Sequence, residues 1–428
     1  PTPPPPIPSP TAAPSPTPTP ASTPLPTREV IEPGTLLPYV TQTGDTAASI
    51  AAHFNSSAAE VLAANPMLST TVTLGAGQPI SVPAYYFPFG GPVFKIIPDS
   101  EFVYGPANKD FDLRGYVESQ PGYLRGLSIY AGERQRDGAG LIQFVAQQYS
   151  INPKLLLALL EWRSGALTMP AAPDEVVLNP LGPIEGVTGF YSQLQWAAEQ
   201  LSLGYYGWRS GALTTIPFAD TYRSRVDMYQ NAGAVGVQYL LAQMFPHDQF
   251  ETVAGPEGFA AAYAALWGDP FAHEMTDLIP GGLTQPELYL PFAPGEQWTL
   301  TGGPHPGWGA NLPWSALDFG PPGVSGCGVT DRWATASASG LVVRSGESTV
   351  VVDLDGDGHE QTGWVLFYFH VAENDRVAAE TTVQAGDVIG RPSCEGGIAT
   401  GTHVHLARKY NGEWIPAAGI STGVAPFV

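Results

Sequence analysis

The sequence predicts a multidomain α+β chain, and three changes of pattern along its 428 residues predict it. A strand–helix–helix–strand rhythm fills residues 39–84, helical apolar spacing dominates 126–288, and alternating or continuous apolar runs between glycine-rich turns follow from about 289. Domains of roughly 100–200 residues make two to four units the expectation for this length.

Composition narrows the classes of function. Lys and Arg number 18 against 39 Asp and Glu, a formal charge of −21, and only four of the basic residues are lysines. Phosphate recognition needs a basic face, so nucleic acid is excluded as a partner. Charged residues are 13% of the chain, with 49 glycines and 44 prolines, which describes a loop-rich exported protein. No apolar run reaches the roughly 18 residues that a membrane span requires.

The first 36 residues form a Pro/Thr/Ser tether, "PTPPPPIPSPTAAPSPTPTP" and onward. Proline fixes φ and removes donors, so this stretch reads as an extended spacer without a core. An export signal or lipid anchor is expected upstream of it.

Residues 37–84 come next. A strand from Tyr39 to Gln42 leads to a helix start at Gly44-Asp45-Thr46, and "AASIAAHF" has helical spacing. Asn55-Ser56-Ser57 caps a second helix, "AAEVLAAN", and "GQPISVP" closes with a strand. This unit resembles a LysM domain. The resemblance implies binding of N-acetylglucosamine-containing glycan in a groove between the helix starts and the loop near Asn65-Pro66. His53 reads as a solvated helix residue, and residues 85–125 as a connector.

Residues 126–288 carry the helical runs "GLIQFVAQQYS", "PKLLLALLEWRSG", "FYSQLQWAAEQLSLGYYGW", "NAGAVGVQYLLAQMF" and "GFAAAYAALWG". An all-α domain is expected. "YSINPKLLLALLEWRSGAL" resembles the first motif of lysozyme-like lytic transglycosylases, in which such a helix ends in a catalytic Glu before Ser-Gly. Here Arg163 stands at that position, and Glu161, two residues away at 100° each, projects to nearly the opposite side. The domain is therefore read as non-catalytic, with takeover of the role by another acid, such as Glu185, left open. An all-α spacer of other ancestry is the competing reading. His247 and His273, each beside an acid, read as caps or surface pairs.

Residues 289–428 read as a largely antiparallel β-sheet domain, with Asn411-Gly412 marking a tight hairpin. In "GTHVH", His403 and His405 project from one face of a strand. His305 and Asp318 lie upstream in "GGPHPGWGANLPWSALDF", and His370 ends the strand "WVLFYFH". Two His and one Asp suit a catalytic zinc site with one position left to water, and two further histidines can handle protons. These residues resemble the lysostaphin-type zinc endopeptidases, in the staphylolysin and beta-lytic branch, where the first His and the Asp are widely separated. Trp314 stands where the compact spacing of the rest of the family would need a His. The resemblance implies zinc bound by His305, Asp318 and His405, His403 as general base, and His370 stabilising charge on the attacked carbonyl.

"DLDGDGHEQTGW" places Asp353, Asp355 and Asp357 in a partial calcium-loop pattern, but Trp364 replaces its final Glu. A polar turn is the expected reading, with His359 solvated. Cys327 and Cys394, the only cysteines, share this domain and are expected to form a disulfide. The whole reads as a monomeric, extracellular peptidoglycan-directed endopeptidase. A catalytically silent wall-binding regulator and a transglycosylase acting through the middle domain are the alternatives; the intact five-residue set opposes the first, and Arg163 the second.

Overall fold

Two helix starts set the geometry of the first unit. The structure, a computed structural model, describes residues 31–68, 73–85 and 90–417. Ser49 N donates to Thr46 Oγ1 while Thr46 N donates to Ser49 Oγ, and Ser57 and Glu60 repeat the exchange. Reciprocal bonds of this kind satisfy the orphan N–H groups of a first turn. Helices α1 (Ala47–His53) and α2 (Ala58–Ala64) therefore begin where their capping residues stand. Strands β1 (Thr35–Val40) and β2 (Pro79–Ala84) pair antiparallel with Tyr39 opposite Ile80. The first strand starts earlier than the sequence suggested because Pro38 is tolerated on an edge strand. Tyr39, Ile50, Phe54, Val61, Ile80 and Val82 close its core.

His53 is not solvated. It is 3% exposed, its ring stacks on Trp208 at 3.5 Å, and its Nε2 lies 2.9 Å from Trp208 O. The spacing of α1 put His53 outside the small unit's own core, and a helix from another part of the chain covers it.

That partner belongs to a helical region with α3 (Gly138–Tyr149), α4 (Pro153–Ser164), α5 (Phe190–Arg209), α6 (Ala232–Met244) and α7 (Phe259–Trp267). Asn152 caps α4 ahead of Pro153, whose missing N–H costs nothing at a helix start, and Gly165 ends it in the left-handed conformation. Gly204 on α5 lets α6 approach closely, since a Cβ there would stand 2.7 Å from Val235 O. The region is not purely helical. Ser128–Ala131 pairs with Arg134–Asp137, and Thr215–Pro217 with Arg223–Arg225, as hairpins too short and polar to show a period-2 pattern. The stretch read as a connector folds into the same core, where Ile96, Ile97, Phe102, Val103, Leu113 and Val117 are buried.

The last region is an eight-stranded antiparallel sheet. Its strands include β3 (Thr299–His305), β4 (Ala316–Gly320), β5 (Gly340–Gly346), β6 (Thr349–Asp353), β7 (Trp364–Phe369) and β8 (Val404–Tyr410). The order is Thr382–Val383, β5, β6, β7, β8, β4, β3, and Asn411-Gly412 turns β8 back onto Glu413–Trp414. Val350, Val352, Leu366, Tyr368, Val404 and Leu406 point into one core. Val351, Val365, Phe367, Phe369 and Ala407 point the other way, into the core shared with the helices. Burial on both faces is why "TVVVD" and "WVLFYF" read as continuous apolar runs instead of alternating ones.

One side chain at the end of α5 bonds all three regions. Arg209 Nε donates to Glu413 Oε1 at 2.8 Å, Nη2 to Glu413 Oε2 at 3.0 Å and to Asp99 Oδ2 at 2.9 Å, and Nη1 to Thr43 O. No helix among the described residues is long and apolar enough to cross a membrane.

Arg209→Met leaves Asp99 and Glu413 buried without their cation, and the expected loss is about 3–5 kcal/mol, read as a lowered denaturation midpoint. A second expectation concerns acid. Burial pushes the His53 imidazole down from its ordinary 6.5 to about 3, only partly offset by its bond to Trp208 O. The unfolded chain takes up this proton below pH 6.5 and the folded chain does not, so the contribution is fully present above 6.5. It declines by about 1.4 kcal/mol per pH unit as the pH falls toward 3. Urea midpoints measured between pH 7 and pH 4 should fall less steeply in His53→Phe than in the parent.

Candidate metal centre

Strand register delivers the first two site residues. His405 on β8 lies directly opposite Asp318 on β4, a cross-strand pair whose Cβ atoms are expected roughly 4.5–5.5 Å apart. Next door on β3, Gly302 lies opposite Asp318. A Cβ at Gly302 would stand 2.6 Å from Asp318 Oδ2, so only glycine leaves room for the carboxylate. Two register shifts in β3 then carry His305 opposite Ala316 and over the pair. His305 Nε2 lies 3.0 Å from His405 Nδ1 and 3.2 Å from Asp318 Oδ1, and His405 Nδ1 lies 3.2 Å from the same oxygen.

The other ring nitrogens decide what these three atoms are. His305 Nδ1 meets Gly303 O at 2.9 Å and His405 Nε2 meets Gly307 O at 3.1 Å. A carbonyl cannot donate, so each of those nitrogens carries the proton, and the nitrogen facing the site carries a lone pair. Asp318 Oδ1 is buried and has no well-oriented donor. In these tautomers three lone pairs converge with no hydrogen to separate them, a grouping that could hold a metal ion. Ligands held 2.0–2.1 Å from a tetrahedral ion lie roughly 3.3 Å apart, close to the separations seen here. Burial opposes ionisation of Asp318, whereas hydrogen bonds from His305 and His405 and the positive charge of His405, which those rings supply only when their site-facing nitrogens are protonated, hold the carboxyl well below the usual range.

His403 and His370 stand beside this triangle. His403 Nε2 lies 3.6 Å from Asp318 Oδ2, and the rings of His370 and His403 are 4.5 Å apart between centroids. Each again turns its Nδ1 to a carbonyl: His403 to Gly401 O at 2.7 Å, His370 to Glu395 O at 2.8 Å. Burial pushes the His370 imidazole down to about 4. His370 also sits at φ 60°, a conformation costly for a non-glycine residue. Ser393 holds it there, donating from both its N and its Oγ to His370 O.

Cys327 and Cys394 are joined. The bond ties the turn carrying Ser393 to a loop whose Gly326 and Gly328 carbonyls accept from Thr402, next to His403.

The chain has relatives whose named activity suits this geometry. A family model described as "LasA, N-terminal domain" matches residues 95–278, and one described as "LysM domain" matches 39–83. Protease LasA of Pseudomonas aeruginosa is 28% identical over 343 residues, 76% of each chain. Beta-lytic metalloendopeptidase of Lysobacter enzymogenes is 30% identical over 142 residues, 32% of this chain and 73% of that one. The chain belongs to the beta-lytic metalloendopeptidase family. A solved structure titled "A Novel M23 Metalloprotease Pseudoalterin from Deep-sea" is 31% identical, covering 30% of this chain and 74% of its own, with a TM-score of 0.26.

Other candidates from the sequence fall elsewhere. Asp353, Asp355 and Asp357 cluster closely enough to hold a cation. Their oxygens already accept from Asp355 N, Gly356 N, Gly358 N, Asp357 N, His359 N and Thr362 Oγ1, which close the turn. Glu161 accepts from Leu167 N at 2.7 Å and Thr168 N at 3.2 Å, capping the chain beyond α4. Arg163 Nε donates to Leu181 O, and Glu185 is exposed. His247 pairs with Asp220 at 2.8 Å on the surface.

In this metalloendopeptidase the residues that sequence reasoning missed are mostly backbone acceptors and glycines. Gly302 and Gly307 are the clearest, since a Cβ at Gly307 would also strike Ser315 Oγ and Trp414. The signal available was the glycine pair immediately before Pro304-His305, unusual inside a strand.

Replacing both cysteines with serine should lower stability by roughly 4 kcal/mol in the chain-entropy account of a 67-residue separation. Calorimetric unfolding of the double variant beside the parent checks this, and an unchanged transition would mean that the bond constrains nothing.

Proposed function

We propose that this chain is a secreted, monomeric zinc endopeptidase that hydrolyses peptide bonds in the cross-bridges or stems of peptidoglycan. The observation that carries the reading is the convergence of three unprotonated donor atoms, from His305, Asp318 and His405, beside two more imidazoles. The likeness to Protease LasA and to a beta-lytic metalloendopeptidase supports peptidase chemistry, and the LysM match supports a wall polymer as the target. A glycan-binding unit in the same chain raises the effective concentration of the peptidase on its substrate.

In this reading His305 Nε2, His405 Nδ1 and Asp318 Oδ1 hold zinc. Zinc, when bound, supplies Lewis acidity that polarises the scissile carbonyl and lowers the pKa of water to about 7. His403 presents its Nε2 lone pair because Nδ1–H is committed to Gly401 O, which fits it to take the proton of the attacking water. His370, whose Nδ1 is committed to Glu395 O and whose ring adjoins His403, is assigned to the side of the attacked carbonyl where negative charge develops. His403 then returns a proton to the leaving amine nitrogen.

The rival readings lose ground on particular side chains. A silent regulator has no need of five correctly oriented imidazole and carboxylate groups. A glycan-cleaving middle region needs a neutral carboxylic acid at its cleft, whereas Arg163 cannot give up a proton and Glu161 is committed to backbone amides.

Metal-replete protein should contain about one zinc per chain. His405→Ala should lose it, and His403→Ala should keep it while losing turnover by about 10²–10⁴. Digestion of peptidoglycans with different cross-bridges should release new amino termini that identify the bond, with no anhydro-sugar from His403→Ala. Retention of both metal and activity by His405→Ala would overturn the ligand assignment.

A further inference from the structure

The segment that leaves the helical region, residues 278–283, lies in a groove between two loops of the 39–84 unit. Ile279 N donates to Thr43 Oγ1 at 2.7 Å. Thr73 Oγ1 donates to Pro280 O at 2.8 Å and accepts from Leu283 N at 3.3 Å, while Gly282 N donates to Thr73 O at 2.9 Å. Gly281 passes so close to the groove wall that a Cβ on it would stand 2.6 Å from Gly75 N. Both threonines are buried beneath the segment.

The other side of the segment belongs to the peptidase sheet. Asn411 Nδ2 donates to Leu278 O at 2.8 Å and Trp364 Nε1 donates to Thr284 O at 3.1 Å. Ile279 and Leu283 pack on Ile415, flanked by Trp364 and Tyr410. The chain here is a strap held between the groove and the sheet.

What the groove recognises in this strap is amide groups: three N–H donors and the carbonyls of Ile279 and Pro280, presented by a backbone kept narrow by two successive glycines. An acetamido group carries the same donor and the same acceptor, and a flat sugar ring needs the same narrow approach. The groove also lies between the start of α1 and the loop that follows α2. A LysM-like unit takes its glycan in that groove, and we propose that residues 278–283 occupy it as an internal stand-in for an oligosaccharide of N-acetylated amino sugar. The proposal rests on the reading of that unit as a glycan binder. Binding of glycan and release of the strap from the peptidase sheet are then one equilibrium, and the coupling is reciprocal: whatever loosens the strap tightens glycan, and glycan frees the strap. The affinity of the intact chain is reduced by the small fraction of molecules in which the strap is out.

The test titrates the full chain with N-acetylglucosamine tetramer and, separately, with an alternating N-acetylglucosamine–N-acetylmuramic acid tetrasaccharide, whose relative affinities assign a chitin-type or wall-type glycan. Gly281→Val, which forces a side chain against Gly75 and expels the strap, should bind the preferred glycan at least about tenfold more tightly than the parent. Amide exchange on the unmodified protein provides a second arm: the Gly282 and Leu283 N–H groups should be protected alone and should exchange faster with glycan bound. If the parent binds as tightly as Gly281→Val and keeps both amides protected in the complex, the groove is not the glycan site and the masking proposal falls, while glycan binding stands. If neither protein binds either glycan although the Gly281→Val strap exchanges freely, the glycan reading itself has failed.

Discussion

A single buried guanidinium holds the regions of this chain to one another. Arg209 offers its hydrogens to a carboxylate on the hairpin that follows β8, to a carboxylate ahead of the helices, and to a backbone carbonyl in the first unit. Burial by itself lowers the pKa of its guanidinium, and Glu413, Tyr205 and Asp99 more than reverse that. Glu413 is under the opposite pressure, pushed up by burial and drawn back by Arg209. Each charge is tolerable only because the others are in place, so separation of the sheet from the helical region would leave Glu413 without its cation, while separation of the first unit would leave an Arg209 N–H without its acceptor. The arrangement is thereby cooperative in a way that apolar contacts alone would not make it, since apolar surface is lost by degrees and a buried ion pair is not.

The candidate metal centre depends on a second constraint, the register of β4 against β8. A one-residue slip would turn His405 into the apolar core and bring Val404 or Leu406 to the site. That slip is blocked by Val404 and Leu406 themselves, which fill the core on the other face. The site is thus positioned by residues that never touch it. Its protons are arranged in the same indirect way: four backbone carbonyls each meet one ring nitrogen, which leaves the lone pair of each histidine on its other nitrogen.

Elements whose cause is local could be read from the chain directly. The capping boxes at Thr46 and Ser57, the Asn411-Gly412 hairpin and the shared face of His403 and His405 each follow from a few adjacent residues and the geometry of a helix turn or a strand. The grouping of His305 and Asp318 with the later histidines came through family resemblance, because no local rule links residues a hundred positions apart. His53 shows where local reasoning stops. The expectation of a solvated helix residue fails there, because nothing nearby in the sequence announces that Trp208 lies over it.

What the sequence by itself determined was the kind of chemistry and the kind of element: which stretches are helical, which are sheet, and which side chains can bind a cation. Only the tertiary structure decided how those elements meet. The close approach at Gly302, the left-handed His370 held by Ser393, the strap in the Thr43 and Thr73 groove and the triple embrace of Arg209 all arise from contacts between distant segments. The physical reason is range. Dihedral preference and periodicity act over a turn or a strand, whereas close packing and the pairing of buried charge depend on whatever the folded chain brings within a few ångströms.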